Sequence, residues 1–140
     1  MAYFSFGCSI IVSDPITLFL TADGADARRD FTYTDDVVRG CLSALNMAGK
    51  STGSKSGKKR RPAPLYVYKL GNTSPVGVTR MVAILEKLLG KKVHRRIVTM
   101  PTNGGVPFAH ANVCHAARDF SYRPATSLEV GLCRFVDWFM

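Results

Sequence analysis

The spacing of apolar residues alternates along the chain between a helical period and a strand-like period. Apolar residues recur every three or four positions in segments 34–47 and 78–89, which predicts amphipathic helices. Runs rich in β-branched and aromatic residues predict strands. The predicted elements are, in order, a helix over 1–12, a strand over 15–20, a helix over 34–47, a strand over 65–70, a helix over 78–89, a strand over 93–100, a helix over 112–120 and a helix from 126. This alternation predicts an α/β fold.

The segment 27–42 joins a short predicted strand to a helix start. Phe31 and Tyr33 alternate with polar residues, as in a half-buried strand. Thr34 is a suitable helix N-cap, and Asp35 and Asp36 favour the positive end of the helix dipole. The following apolar residues keep helical spacing: Val37, Val38, Cys41, Leu42 and Leu45.

Caps and turns predict the limits of the other elements. Gly49 and Gly90 are suitable left-handed caps for the helices before them. The segment 126–129, with sequence Thr-Ser-Leu-Glu, predicts a capping box at the last helix. Arg95 and Arg96 are expected on opposite sides of their strand. The last helix carries one apolar face: Leu128, Leu132, Phe135, Val136 and Phe139.

The net charge of +9 comes mainly from segment 49–64, which contains six Lys or Arg and no Asp or Glu. Its Gly, Ser and charged residues predict a flexible surface loop, because they bury too little apolar area to offset the entropy of ordering. Contact with polyanions or an acidic membrane surface is the functional alternative. An RNA-binding domain is a third hypothesis, but the chain lacks an RNP-type aromatic pattern, so we expect no nucleic-acid partner.

The cysteines and histidines are scattered. We expect the four cysteines (Cys8, Cys41, Cys114 and Cys133) to be reduced and mostly buried, because they show no CxxC pair or dense spacing. A zinc site would have to draw on Cys114, His94, His110 and His115, and no two pairs among them have ligand-like spacing. We therefore predict no metal site.

The first residues are apolar, but they do not have the pattern of a targeting segment. They lack a basic region, and Asp14 and Pro15 interrupt the apolar run before it is long enough to span a bilayer. We predict no membrane-spanning segment, and we interpret 1–12 as the end of a helix whose beginning is not in this chain.

Several motifs together resemble one enzyme family. Arg29-Asp30-Phe31-Thr32-Tyr33, followed by Asp35-Asp36, resembles the RDFTYxDD motif of nucleotide-sugar epimerases and dehydratases of the extended short-chain dehydrogenase class. Further matches, in order from Met1 to Trp138, resemble plant-type UDP-glucuronate 4-epimerases: Met1-Ala2-Tyr3-Phe4-Ser5-Phe6, Leu70-Gly71-Asn72-Thr73-Ser74-Pro75-Val76, Val106-Pro107-Phe108 and His110-Ala111-Asn112.

The resemblance implies a C-terminal substrate-binding lobe over 1–140 that includes the basic loop and lacks the N-terminal Rossmann sheet. Enzymes of this family are isomerases that use a Rossmann domain to hold NAD and a Tyr-xxx-Lys pair to move a proton. No tyrosine of this chain has a lysine four residues later, and the Gly-rich turn is absent. We therefore expect no NAD on this chain and no epimerisation by it alone. The family is usually held at the Golgi, whereas this chain expressed alone is expected in the cytoplasm.

The resemblance also implies four substrate-binding residues. Arg29 would pair with the UDP diphosphate, with a surface ion pair to Asp26 or Asp30 as the alternative. Thr17 and Phe19 would lie on the strand whose backbone meets the uracil, and both also suit a core strand. Phe108 would lie in the loop that closes over the substrate, with a buried aromatic as the alternative.

Two residues depart from the family pattern in that loop. The family has Gly-Asp-Val-Pro-Phe-Thr where this chain has Gly-Gly-Val-Pro-Phe-Ala, so Gly105 replaces an acid and Ala109 replaces a hydroxyl. Each change removes a group suited to sugar hydroxyls. The main hypothesis is a fragment or truncated paralogue that binds a UDP-sugar. The alternative is a non-catalytic module that captures UDP-sugars or docks onto a full-length relative through an apolar patch.

Overall fold

The computed structural model describes residues 2–48, 65–101, 103 and 105–140, so the predicted loop over 49–64 and the predicted cap at Gly49 lie outside the described residues. The elements are α1 (Ala2–Val12), β1 (Ile16–Leu20), β2 (Arg28–Arg29), α2 (Thr34–Ala48), β3 (Val76–Gly77), α3 (Val78–Leu89), β4 (Arg95–Thr99), α4 (Cys114–Phe120) and α5 (Leu128–Phe139). The five helices agree closely with the sequence prediction, whereas the strands agree only in part.

A parallel pair of strands carries the core. β1 and β4 pair from Ile16 opposite Arg95 to Leu20 opposite Thr99. Helix α3 packs against both α1 and α5, and α1 also contacts β1. The buried apolar cluster contains Ile10, Ile16, Leu18, Met81, Val82, Leu85, Val93, Leu132 and Val136. The core therefore lies between one face of the β1–β4 pair and three helices.

A second, smaller sheet lies beside this core. Strand β2 pairs antiparallel with β3, with Arg28 opposite Gly77 and Arg29 opposite Val76. On its other side, Arg28 forms a parallel bridge with Phe108. Segments that are distant in sequence therefore meet at β2.

Two strand predictions are wrong. The strand near Phe31 and Tyr33 forms instead at Arg28–Arg29, where β3 supplies a pairing partner, and Phe31 packs as a partly buried side chain against the core. The segment 65–70 adopts no strand, and no described segment pairs with it. A strand requires a hydrogen-bonding neighbour as well as suitable residue types.

Helix α2 buries a different side from its apolar stripe. Asp36 is 1% exposed and Gly40 is buried, whereas Leu42 and Leu45 are 56% and 68% exposed. An added Cβ at Gly40 would lie 2.8 Å from a methyl carbon of Leu70, so glycine permits this close approach. The helix therefore packs through its small and acidic residues and leaves its leucines at the surface.

The helix ends are partly as predicted. Gly90 adopts a left-handed conformation with φ of 65°, and its amide donates to the Glu86 carbonyl. At α5, the N-cap is Ser127 and not Thr126, because the Ser127 hydroxyl accepts from the Val130 amide. The predicted capping box is therefore wrong: with Ser127 as N-cap the third helical residue is Val130, which has no side chain that could complete a box.

The cysteine prediction is wrong on burial. All four cysteines are free thiols; Cys41, Cys114 and Cys133 are exposed, and Cys8 is half-buried. Cys41 is exposed because it lies with Leu42 on the open side of α2. Cys114 is the first residue of α4, which begins two residues later than predicted. The Asn112 side chain accepts a hydrogen bond from the Cys114 amide at this helix start.

Candidate functional site

Strand β1 carries the first two predicted site residues on one face. Ile16 and Leu18 are each 3% exposed and point into the core, so the alternating Thr17 and Phe19 lie on the opposite face. Phe19 is 44% exposed, which argues against a purely structural core role. Thr17 is half-buried.

Strand β4 adds a cation to the same face. In the parallel register, Arg96 lies opposite Thr17 and Val98 opposite Phe19, and opposed residues share a face. Arg95, one position earlier, instead reaches Glu86 on α3 with an N–O distance of 2.5 Å. The two arginines therefore lie on opposite sides of the strand, as predicted.

Arg29 lies at the end of β2 with its guanidinium free of ion pairs. It donates one hydrogen bond, of 2.8 Å, to the Arg28 carbonyl, and it pairs with no carboxylate in the described part of the chain. The alternative partners are otherwise engaged: Asp26 accepts from the Thr79 amide, and Asp30 accepts from three backbone amides. The alternative of an Arg29 pair with Asp26 or Asp30 is therefore wrong.

Phe108 lies beside β2. Its neighbours bracket Arg28, because the Arg28 amide donates to the Pro107 carbonyl at 2.9 Å and the Ala109 amide donates to the Arg28 carbonyl at 3.1 Å. Phe108 is 53% exposed, so the alternative of a buried aromatic is wrong. Its ring faces His110 at a centroid distance of 6.2 Å. Arg29 and Phe108 are thus brought onto adjacent segments.

The two halves of the candidate site are joined by a tight turn. Leu20, at the end of β1, bridges Asp26 in antiparallel fashion, and the Thr21 amide donates to the Ala25 carbonyl at 2.9 Å. Gly24 in this turn has φ of 79°, which favours glycine. The turn places Asp26, two residues before β2, beside the end of β1, so backbone pairing links the segments that carry the four predicted residues.

In the loop before Phe108, Gly105 lies close to Met100 and Pro101. A Cβ added at Gly105 would collide with the Met100 side chain and lie 2.6 Å from the Pro101 carbonyl oxygen. The backbone of Met100 is held to β1, because its amide donates to the Leu20 carbonyl at 2.7 Å. The family's aspartate would not fit at this position without movement of the backbone.

A cleft of about 780 Å³ lies elsewhere, between α1, the segment 30–34 and α5. Its lining includes six aromatic residues, and the Arg134 guanidinium lies 5.1 Å from the centre of the Tyr33 ring. Thr17, Phe19, Arg29 and Phe108 do not line this cleft, although Asp30, next to Arg29, does. The four predicted residues therefore lie outside the cleft.

Sequence reasoning missed two residues that build the site. Arg28 binds the Pro75 carbonyl through its side chain at 2.8 Å and the Phe108 segment through its backbone. Asp30 binds amides of residues 73, 74 and 111. The signal was their position on either side of Arg29 in the RDFTY motif, but their partners are too distant in sequence to be inferred.

The described residues do not fit the usual NAD-binding arrangement. That arrangement needs a parallel strand followed by a Gly-rich turn and a helix. Strand β1 leads instead into the Leu20–Asp26 bridge and β2. Within the described ranges, no helix has both the length and the apolar content to cross a membrane, and no three metal-ligand side chains cluster.

Sequence comparisons find relatives that match the whole chain. UDP-glucuronate 4-epimerase 1 of Arabidopsis thaliana is 53% identical over all 140 residues, which correspond to 32% of that protein. UDP-glucuronate 4-epimerase 6 of the same plant is also 53% identical, and the match covers 30% of its length. The chain thus spans about a third of the curated relatives that it matches. No protein-family model matches it.

A solved structure gives the same fold. UDP-glucuronic acid 4-epimerase from Bacillus cereus, crystallised with UDP-glucuronic acid and NAD, superposes with a TM-score of 0.72 at 24% identity, over 100% of this chain and 40% of that one. The fold is therefore that of part of the C-terminal lobe of an extended short-chain dehydrogenase. Within that class, the chain belongs to the plant-type UDP-glucuronate 4-epimerase family, and it matches about a third of the length of those proteins.

Proposed function

We propose that this chain supplies the UDP-sugar-binding surface of a UDP-glucuronate 4-epimerase, an enzyme that interconverts UDP-glucuronate and UDP-galacturonate. The observation that carries the proposal is the Arg29 guanidinium, which pairs with no carboxylate in the described part of the chain and belongs to a strand that Arg28 bridges to the exposed Phe108. A cation without a carboxylate partner, on a strand next to an exposed aromatic residue, suits an anionic nucleotide. The family relationship gives the anion its identity.

Arg29 binds the diphosphate in this proposal. A guanidinium presents paired N–H donors that match phosphate oxygens, and a charge-assisted hydrogen bond contributes about 1.5–3 kcal/mol. Arg29 is half-buried, which limits both its hydration and its conformational freedom before binding. Arg28 is exposed and also donates one hydrogen bond to a backbone carbonyl, that of Pro75, so the choice of Arg29 over Arg28 rests on the RDFTY motif.

Thr17 and Phe19 receive the uracil. Among the described residues, β1 pairs with β4 along one edge, so its other edge before Leu20 presents backbone donors and acceptors to a base. The Phe19 ring supplies an apolar contact for a flat base, with 44% of the residue exposed. Phe108 covers the bound nucleotide from the neighbouring segment.

The catalytic step belongs to a longer protein or to a partner. NAD, the Gly-rich turn and the Tyr-xxx-Lys pair are family features outside this sequence. The contribution of this chain is to hold the UDP group so that the sugar projects toward such a domain. Golgi placement of the complete enzyme is part of the same proposal.

Calorimetric titration with UDP and UDP-glucuronate tests the proposal. Wild-type protein should bind both saturably, and Arg29→Ala should weaken binding by about tenfold or more. Arg80→Ala is the matched control, because Arg80 is an exposed arginine paired with Glu129 and lies outside the site. A folded wild-type sample that binds neither ligand would contradict the proposal, as would equal weakening by the two substitutions.

Docking onto a full-length relative is a second candidate function. The observation that favours it is the exposure of apolar side chains: Leu42 and Leu45 on α2 are 56% and 68% exposed, and Leu65 and Val67 are 88% and 75% exposed. Exposed apolar side chains that form a patch are typical of an interface whose other side is a separate domain. A Rossmann domain of a relative is the occupant that the family suggests.

Analytical ultracentrifugation of this chain mixed with a full-length plant relative tests the docking. We expect a heteromeric species that Leu42→Asp removes. Val130→Asp is the control, since Val130 is a comparable apolar residue, 46% exposed, on α5. Absence of any complex at micromolar concentration, or its loss with both substitutions, would contradict specific docking through α2.

A further inference from the structure

We propose that Asp30 is the positioning residue of the site, whose carboxylate sets the placement of Arg29 relative to Phe108. The proposal rests on the UDP-binding function proposed above. It assigns Asp30 no contact with the ligand. Its role is to hold two loops against β2, so that Arg29 and Phe108 are in place before a nucleotide arrives.

The Asp30 carboxylate ties together two distant segments. Its Oδ2 atom accepts from the Thr73 amide at 3.1 Å and from the Ala111 amide at 3.0 Å, and Oδ1 accepts from the Ser74 amide at 3.2 Å. Thr73 and Ser74 precede β3, whereas Ala111 follows the Phe108 segment. One side chain therefore fixes the segments on both sides of β2.

The clamp, which consists of the Asp30 carboxylate and its three amide donors, is separate from the binding cation. Arg28 and Arg29 are consecutive residues of β2, so their side chains leave the backbone on opposite sides. The Arg28 guanidinium donates to the Pro75 carbonyl at 2.8 Å. The side chains of Arg28 and Asp30 thus anchor the loops, and Arg29, which pairs with no carboxylate among the described residues, remains available for an anion.

The backbone around the clamp is built for close approach. A Cβ at Gly71 would collide with Ala111 and lie 2.9 Å from Asp30 Oδ2. Thr73 adopts φ of 60°, a conformation that few non-glycine residues take without compensating contacts. The hydrogen bond from the Thr73 amide to the Asp30 carboxylate is such a contact. The loop is therefore shaped around the carboxylate.

Asp36 provides an internal comparison within the same motif. It is also a carboxylate that accepts from backbone amides of a distant loop, those of Ala125 and Thr126 at 3.3 and 3.0 Å. Those residues precede α5, whereas the amides on Asp30 belong to the segments before β3 and after Phe108. Loss of Asp36 should therefore affect folding without moving the proposed site.

Matched variants test the role. Asp30→Asn keeps the size of the side chain but weakens the hydrogen bonds that it accepts from three backbone amides. Arg29 itself is retained in this variant, and we still expect UDP affinity to fall about tenfold or more. Asp36→Asn should leave the affinity within about twofold. Equal affinity of Asp30→Asn and wild type would overturn the proposal, and so would an equal loss in both variants.

Amide hydrogen exchange tests the clamp without relying on UDP binding. In Asp30→Asn, the amides of Ser74, Ala109 and Ala111 should exchange about tenfold faster, while the core amide of Leu85 stays protected. Unchanged exchange would overturn the clamp. If wild-type protein fails to bind UDP but these amides respond as expected, the proposed function fails and the clamp stands.

A measurement on the wild type covers the case in which Asp30→Asn does not fold. Saturating UDP should slow exchange at the Thr73, Ser74 and Ala111 amides by about tenfold, because a ligand on Arg29 stabilises the clamped arrangement. The Ala125 and Thr126 amides on Asp36 should not change. Slowing at both sets, or at neither in a sample that binds UDP, would overturn the proposal.

Discussion

Helices α2 and α3 have similar amphipathic sequences but different surroundings. On α3, Met81, Val82 and Leu85 are fully buried against α1 and α5. On α2, Leu42 and Leu45 remain more than half exposed. The periodic spacing of apolar residues identified both helices, yet only α3 has its stripe covered by the described residues. Helical periodicity therefore predicts that a helix has an apolar face, and not what covers that face.

The difference extends to the acidic residues. Glu86 on α3 accepts from the Val93 amide and pairs with Arg95, so it joins the helix to β4. Asp36 on α2 pairs with Arg39 and accepts from the backbone before α5. On α3, Glu86 lies at the edge of an apolar interface. On α2, Asp36 is itself one of the two buried residues, together with Gly40.

The largest expected effect comes from truncating the covered stripe. Leu85→Ala should lower the free energy of unfolding by about 2–5 kcal/mol, because it leaves a cavity among fully buried side chains. Leu42→Ala, on the open stripe, should change it by no more than about 0.5 kcal/mol. Urea denaturation followed by circular dichroism measures both.

A large loss in Leu42→Ala would break the contrast between the two helices, because it would mean that α2 is covered in solution. Sedimentation of the wild type would then show whether self-association supplies the cover. A small loss in Leu85→Ala would instead indicate that the α1–α3–α5 core is poorly packed.

A smaller effect is expected from the acid on α3. Burial raises the pKa of Glu86, but hydrogen bonds from Arg95 and the Val93 amide outweigh it, so the pKa lies below the ordinary value of 4.5. The carboxylate therefore stabilises the fold above about pH 4.5, and this contribution is lost as pH falls through the lowered pKa. In Glu86→Gln, the free energy of unfolding should fall less steeply with decreasing pH than it does in wild type.

The control for this titration is Glu129→Gln. Glu129 pairs with Arg80 at the surface, where solvent screens the interaction. The dependence of its free energy of unfolding on pH in acid should stay close to that of wild type. If this dependence is also unchanged in Glu86→Gln, the contacts of Glu86 with Arg95 and the Val93 amide contribute little to stability.

The helices could be predicted from sequence because their hydrogen bonds are local. Periodicity and Gly90 were enough to define α3 within a residue. Strands depend on partners: the aromatic segment 65–70 forms none in the described structure, whereas Arg28 and Arg29, with no strand signal, pair with β3. The N-cap at Ser127 was missed because adjacent hydroxyl residues offer equivalent caps.

The candidate site was predictable only as far as its motif. The RDFTY resemblance singled out Arg29, whose guanidinium pairs with no carboxylate among the residues that the structure describes. Neither the three amides on Asp30 nor the collision at Gly105 is visible in sequence, because both depend on loops distant along the chain. The roles of Thr17, Phe19 and Phe108 in binding remain predictions.

The parallel pairing of β1 with β4 has a consequence for synthesis of the protein. During translation, Leu18 leaves the ribosome long before Ile97, its partner in the ladder. Until β4 emerges, β1 has no parallel neighbour, and its apolar side chains are open to wrong pairings. Productive folding should therefore depend on late closure of this ladder, and we expect nascent chains that end before β4 to be held by chaperones.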